Sequence, residues 1–327
     1  MILNKKANVG ARNHINLISA GFSSPVYSKL NKMKQLLILF LFVTTHLVAQ
    51  QIPDKDFRWT ISKPHAALGK GAVVAVDKAH NNFHTLDGRF AAFGNLLRAD
   101  GYIVKDFDSE LTTQKLNDID ILVISNSLNI RNANGDWSKP TPSAFTPKEI
   151  SALNTWVKNG GNLLLIADHM PMPGAVLELA ATFGIKFENG FAFDNRKRPI
   201  EYFTKADKTL SNTVFTSKID SVVNFTGSAF KVTGKVTPII TLDQHYNIQY
   251  PDTAWKFNAT TKTVSGKGFL QLATVEYGKG KIVVSAEASM FSAQLAGKEK
   301  RPMGFNHPAA KYNCPLLLNL FHWFDKK

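Results

Sequence analysis

The sequence predicts an α/β fold: a doubly wound, mostly parallel sheet carrying a β-hairpin extension. Three observations lead there. Short, continuously apolar runs rich in Val, Ile and Leu recur, as in strands buried on both faces. They alternate with helix-length stretches whose apolar residues repeat at 3.6-residue spacing, the pattern of βαβ units. Late in the chain Gly278-Lys-Gly280 sits between two strand-like runs and signals the hairpin.

The first strand is Gly71 to Asp77, and a polar segment holding His80, Asn82 and His84 follows it. Asp87 is placed to cap a helix from Gly88 to Asp100, with Phe90, Phe93, Leu96 and Leu97 on one face. Gly101 ends it, and Tyr102 to Phe107 and Asp120 to Ser125 are the next strands. Arg131 to Ala144, rich in Asn, Gly, Pro and Ser, reads as a surface loop. Thr146-Pro147-Lys148-Glu149 is a capping box with Pro at the first helical position. Ile150, Leu153, Trp156 and Val157 form that helix's buried stripe, and Gly160-Gly161 stops it.

Asn162 to Ala167 is a fourth buried strand, ending at Asp168-His169, with a helix from Gly174 to Phe183 after it. Ile185 to Phe193, Ser221 to Phe225 and Val236 to Leu242 are further strands, and Asp194 to Arg198 is a basic loop. Phe269 to Tyr277 pairs with Lys281 to Ala286 in the hairpin, which runs out at Glu287. Pro315 to Phe324 is an amphipathic terminal helix.

The 327 residues, 44% hydrophobic and 20% charged, suffice for a full core. Residues 1–32 read as an over-extended N-terminus. Residues 33–50 read as a signal peptide: Met33-Lys34, a short apolar core and a small-residue end, with cleavage near Ala49 or Gln50. Residues 51–70 are a loosely ordered lead-in from which Trp59 packs back, and residues 71–327 form a single domain. The expected location is periplasmic or secreted, with no membrane span after signal cleavage. The first 50 residues hold six of the 39 Lys and Arg and no acidic residue. The remainder, 33 basic against 25 acidic, is still basic at +8. Outside the cytoplasm that favours an anionic saccharide over nucleic acid, beside the plainer reading of a solvated Lys-rich surface. A lone Cys314 excludes an internal disulfide and reads as a small buried hydrophobe.

Three pieces carry a family resemblance: Val76-Asp-Lys-Ala-His80-Asn-Asn82-Phe-His84, Asn159-Gly-Gly-Asn-Leu-Leu-Leu-Ile-Ala-Asp168-His169, and Gly278-Lys-Gly-Lys-Ile-Val-Val-Ser-Ala-Glu287. The chain resembles the class I glutamine-amidotransferase-like superfamily, a flavodoxin-like arrangement, and within it a secreted bacterial branch. The resemblance implies an association with carbohydrate degradation and with hydrolases of unsaturated uronyl sugars. It also implies a nucleophilic Cys after the Gly-Gly strand, but the chain reads Ala167-Asp168-His169 there. Glutamine hydrolysis by a thiol is therefore excluded.

In an open α/β sheet, ligands bind at the carboxyl edge of the strands. That edge gathers the candidate catalytic residues His80, His84, Asp168, His169 and Glu287. Asn82, Arg196, Arg198 and His307 are candidate substrate-binding residues. Each also has a plain reading: helix cap, turn residue, solvated charge. Two His with Asp-His and Glu leave a divalent metal open, and no nucleotide cofactor is expected. The chemistry that suits these groups on an acidic, uronate-containing oligosaccharide is elimination of water at a non-reducing-end uronic acid, giving an unsaturated uronyl sugar. A carbon–oxygen lyase is thus the first expectation. A non-catalytic saccharide-binding domain, stacking sugars on Trp137, Tyr202 or Trp255, and a metal-dependent hydrolase are the alternatives.

Overall fold

Each apolar run of the N-terminal half becomes a strand whose alternate side chains enter two different cores. The computed structural model describes residues 51–325; the expected over-extended start and signal peptide lie outside the described residues. The first half holds β1 (Gln51–Pro53), β2 (Val73–Asp77), α1 (Ala91–Ala99), β3 (Ile103–Phe107), α2 (Thr113–Leu116) and β4 (Ile121–Ser125). Next come α3 (Ile130–Ala133), α4 (Pro147–Lys158), β5 (Asn162–Ile166), α5 (Met172–Ala181) and β6 (Ile185–Asp194). Then follow β7 (Glu201–Thr204), β8 (Ser221–Asn224), β9 (Gly227–Val232), β10 (Thr237–Thr241), β11 (Tyr246–Tyr250) and β12 (Lys262–Ser265). The chain closes with β13 (Leu270–Tyr277), β14 (Gly280–Ser285), β15 (Ala293–Ala296), β16 (Arg301–Gly304) and α6 (Asn313–Phe324).

One 11-stranded mixed sheet runs β12-β11-β6-β9-β13-β14-β5-β4-β2-β3, with β10 added on β13. From β14 through β5, β4 and β2 to β3 every pairing is parallel. Beyond β14 every pairing is antiparallel. The expectation of a mostly parallel sheet is corrected accordingly. Strands β8 to β11 follow one another through connections too short for crossover helices, and antiparallel pairing is what short connections permit.

In the parallel part, Val74, Val76, Ile121, Val123, Leu164 and Ile166 pack with Phe93 and Leu97 of α1 and Leu317 and Phe321 of α6. Their neighbours Ala75, Leu122, Ile124, Leu163 and Leu165 pack with Leu153 and Val157 of α4 and Val176 and Leu179 of α5. Burying one such Val or Leu contributes about 1.5–3 kcal/mol. This two-sided burial fixes the register of the strands, and with it the level at which their polar ends emerge.

The capping box at Thr146 and Glu149 forms as expected. Asp87 does not cap α1, because its carboxylate accepts from the Thr85 hydroxyl and the Lys78 ammonium; the helix starts at Ala91 without a side-chain cap. The lead-in is also tied down: β1 pairs with β15, and Phe57, Trp59 and Ile61 pack on the core. Besides β1, six short strands, β7, β9, β11, β12, β15 and β16, escaped the sequence reading. Strand β12 is exposed along most of its length, so no hydrophobic alternation announces it. Among the described residues no helix is long and apolar enough to cross a membrane.

Candidate functional site

Because β2, β4, β5 and β14 are parallel neighbours, their carboxyl ends emerge on one edge. The loops that leave them carry His80 to His84, Asn126, Asp168-His169 and Glu287. What each group does there differs.

His80 is a buried strut. Its Nδ1 donates to both Asp77 oxygens at 3.0 and 2.9 Å, and its Nε2 donates to Glu149 Oε1 at 2.9 Å. Burial alone would push the His80 pKa down, but Asp77 and Glu149 outweigh it and hold the ring protonated above the ordinary imidazole value. Glu149 also closes the cap of α4, so one carboxylate locks the loop after β2 to the start of that helix. With both nitrogens committed, His80 has no lone pair to offer as a base. Asn82 belongs to the same brace, donating to Asp77 at 2.6 Å and accepting the Ser125 N–H at 2.9 Å.

His84, Asn126 and Asp168 are joined in a chain. Asn126 sits in the left-handed region at φ 58°, a conformation Asn tolerates better than most side chains. Its Oδ1 accepts the Asp168 N–H at 2.9 Å, so its Nδ2 is the donor to His84 Nδ1 at 3.3 Å. His84 Nε2 must then carry the proton, and among the described residues it is buried without a partner. Burial first, with Arg89 and His169 adding, pushes the His84 pKa well below the ordinary value, so the ring is neutral.

Asp168 accepts the His169 N–H at 2.8 Å, yet burial lifts its pKa above the usual carboxylate range. Glu287 accepts the N–H groups of Ser289 and Met290 at 3.0 and 2.7 Å, and burial together with Asp168 lifts it well above its ordinary value.

His169 lies open at the rim. Its Nδ1 donates to the Met170 carbonyl at 2.8 Å, so Nε2 is the ring nitrogen left for another partner. The ring stacks on Phe191 at 4.8 Å and meets Trp255 edge-on at 4.7 Å, with Trp137 at 6.2 Å. Trp255 is 50% exposed and stands at φ 66°, an uncommon backbone for a bulky residue and of the kind that clusters at binding sites. Phe257 adds a second exposed ring edge-on to Phe191 at 5.2 Å.

Three expected binding residues are taken up by other partners. Arg196 and Arg198 both clamp Asp194 at the end of β6, through Nε bonds of 2.7 and 2.6 Å. Burial opposes the Asp194 charge, but the two guanidiniums win and hold its pKa below the ordinary value. His307 accepts the Ala309 N–H at 3.2 Å and lies edge-on to Phe225 at 5.7 Å, a turn residue before α6. Tyr202 sits beneath the Arg198 guanidinium, which lies 5.8 Å from its ring.

Arg89 escaped the sequence reading. Its guanidinium covers the Phe83 ring at 4.0 Å and makes only long, 3.4 Å bonds to the Phe83 and Gln51 carbonyls. Its charge acts on both His84 and Asp168. An arginine five residues after His84, among aromatic residues at a helix start, was the available signal. Among the described residues no group of three or more His, Cys, Asp or Glu side chains is placed to hold a metal ion.

No family model matches the chain, and no curated protein matches it. Solved structures do resemble it. The mmIFT52 N-terminal domain is 13% identical over 78% of this chain and 98% of its own, with a TM-score of 0.57, and that likeness shows the fold alone. A ThuA-like protein from Bacteroides uniformis is 13% identical over 83% of this chain and 95% of its own, at a TM-score of 0.41. A GMP synthase protein from Thermoplasma acidophilum is 10% identical over 77% and 94%, also at 0.41.

Proposed function

We propose that the rim around His169 binds an acidic, uronate-bearing oligosaccharide and eliminates water at its non-reducing end. One observation carries the reading: among the described residues His169 Nε2 has no hydrogen-bond partner, and the ring stands directly beside the half-exposed indole of Trp255. The aromatic face offers a flat apolar surface to a pyranose ring, and the imidazole supplies a base at its edge.

In this reading His169 Nε2 takes the proton on the carbon beside the uronate carboxylate. The electron pair forms a carbon–carbon double bond, and the bond to the 4-oxygen breaks. Asp168, whose pKa burial raises, gives that oxygen its proton, and water leaves. The carbon acid is weak, so charge spreading into the carboxylate needs a cation, and Arg89 is the one whose field reaches Asp168 and His84. Arg196 and Arg198 are spent on Asp194. The exposed Trp255–Phe257 surface also favours a second reading, saccharide binding without chemistry.

Incubation with uronate oligosaccharides separates these readings. Elimination gives ultraviolet absorbance from a new double bond and a product lighter by one water. A gain of water points to hydrolysis instead, and binding without a mass change removes both enzyme readings. Trp255→Ala weakens binding roughly tenfold, about 1.4 kcal/mol, measured by calorimetric titration. Unchanged affinity in that variant removes the stacking surface from the account.

A further inference from the structure

Residues 131–140 carry no hydrophobic periodicity, yet they fold around one side chain. Arg131 Nε donates to Asp136 Oδ2 at 2.8 Å, Nη1 to the Pro140 carbonyl at 2.9 Å, and Nη2 to Ser138 Oγ at 3.1 Å. Nη2 also reaches the Lys139 carbonyl at 3.4 Å. The neighbouring Asn132 is fully buried and donates to the Asp136 carbonyl at 2.7 Å. The carbonyl of Asn132 accepts the Trp137 indole N–H at 3.0 Å.

The segment so shaped is zipped to the loop after β11. Ser138 and Thr253 form an antiparallel bridge. Lys139 donates its N–H to the Asp252 carbonyl at 2.8 Å, and the Trp137 carbonyl accepts the Ala254 N–H at 2.9 Å. Trp137 packs on the group formed by Met170, Phe191 and Ala254. Trp255 is the residue after this pairing, and its φ of 66° is a conformation that persists only where the surroundings over-determine it. Both indoles therefore arrive beside His169, with ring centroids at 6.2 Å for Trp137 and 4.7 Å for Trp255.

We propose that Arg131 is a positioning residue: by folding residues 136–140 around its guanidinium it sets where Trp137 and Trp255 stand beside His169, and so how tightly the rim grips a sugar ring. The grip rests on the function proposed above; the placing of the two indoles does not.

A guanidinium is planar and offers its N–H donors in a rigid fork, whereas a Lys ammonium is a point charge on a flexible stem. Only the fork can hold a carboxylate, a hydroxyl and the carbonyls of residues 139 and 140 at once. The Lys139–Asp252 ion pair joins the same two loops, but both partners are exposed and such a pair contributes little. The directed bonds of Arg131 thus set how residues 137–139 lie against residues 252–254. A shift there passes to Trp255 through the bond between Ala254 and Trp137, and it displaces the stacking surface without touching the His169 ring nitrogens.

Fluorine NMR of protein labelled with 5-fluorotryptophan reads the placing without any ligand. The label reports on Trp59, Trp137, Trp156, Trp255 and Trp323. Arg131→Ala moves the Trp137 and Trp255 signals and leaves those of Trp59, Trp156 and Trp323, which pack in the two cores. Arg131→Lys moves the same two signals, because the charge survives and the fork does not. Calorimetric titration with a uronate oligosaccharide gives roughly tenfold weaker binding in Arg131→Ala. In the double variant Arg131→Ala/Trp255→Ala the loss falls short of the product of the two single losses, since both act through one surface. An unmoved Trp255 signal in Arg131→Ala overturns the proposal, as does a double variant that shows the full product. Wild-type signals in Arg131→Lys overturn it too. Should Arg131→Ala not fold, Arg131→Lys decides by the same signals. A wild type that binds no uronate oligosaccharide removes the function proposed above, and the fluorine signals then decide the placing by Arg131 alone.

Discussion

His80→Ala destabilises the fold by roughly 3–5 kcal/mol, the cost of removing one partner from a buried ion pair. Asp77 is fully buried and Glu149 nearly so, and in the variant both lose the imidazolium between them. Urea denaturation followed by circular dichroism measures the loss. A catalytic base at this position would leave stability nearly unchanged, so a loss below about 1 kcal/mol assigns His80 that role instead. The pH dependence runs in both directions. Glu149 is held below its ordinary pKa, so its contribution is lost as pH falls through that depressed value. His80 is held above its own, so its contribution is full below the ordinary imidazole pKa and lost as pH rises through the raised one. The strut is strongest between these two limits.

His169→Ala shows the opposite profile. Turnover of a uronate oligosaccharide falls by about 10²–10⁴-fold, the usual contribution of a positioned general base. Stability changes by only about 0.5–1.5 kcal/mol, the value of the lost stacking on Phe191. Steady-state rates paired with denaturation midpoints separate the two histidines: His80 moves stability, His169 moves rate. Near-normal turnover in His169→Ala places the chemistry elsewhere.

The parallel part of the sheet was legible because β2, β4, β5 and β14 are each continuously apolar and end in polar residues, and strand ends are where chemistry collects. His84, Asp168, His169 and Glu287 are candidates for that reason, and they do lie on the loops leaving those strands. The roles within the edge were not legible. Glu149 reads from sequence as a helix-capping residue, and it is one, but its other oxygen reaches His80 across 69 residues. No periodicity encodes that contact. Trp137 and Trp255 read from the sequence as stacking platforms, but their meeting with Phe191 and His169 was not legible, for a related reason. Phe191 comes from β6 and Trp255 from a loop after β11, and antiparallel pairing of β6 with β11 brings them together. Arg196 and Arg198 looked free because Asp194, the carboxylate that takes both, read as the start of their own loop.

The most direct test of the rim is nitrogen NMR of the histidine side chains during titration with a uronate oligosaccharide. The account predicts a saturable shift of the His169 Nε2 signal while the His80 signals, sealed between Asp77 and Glu149, stay fixed. A titration that moves His80 and leaves His169 unchanged, or that moves neither, contradicts it.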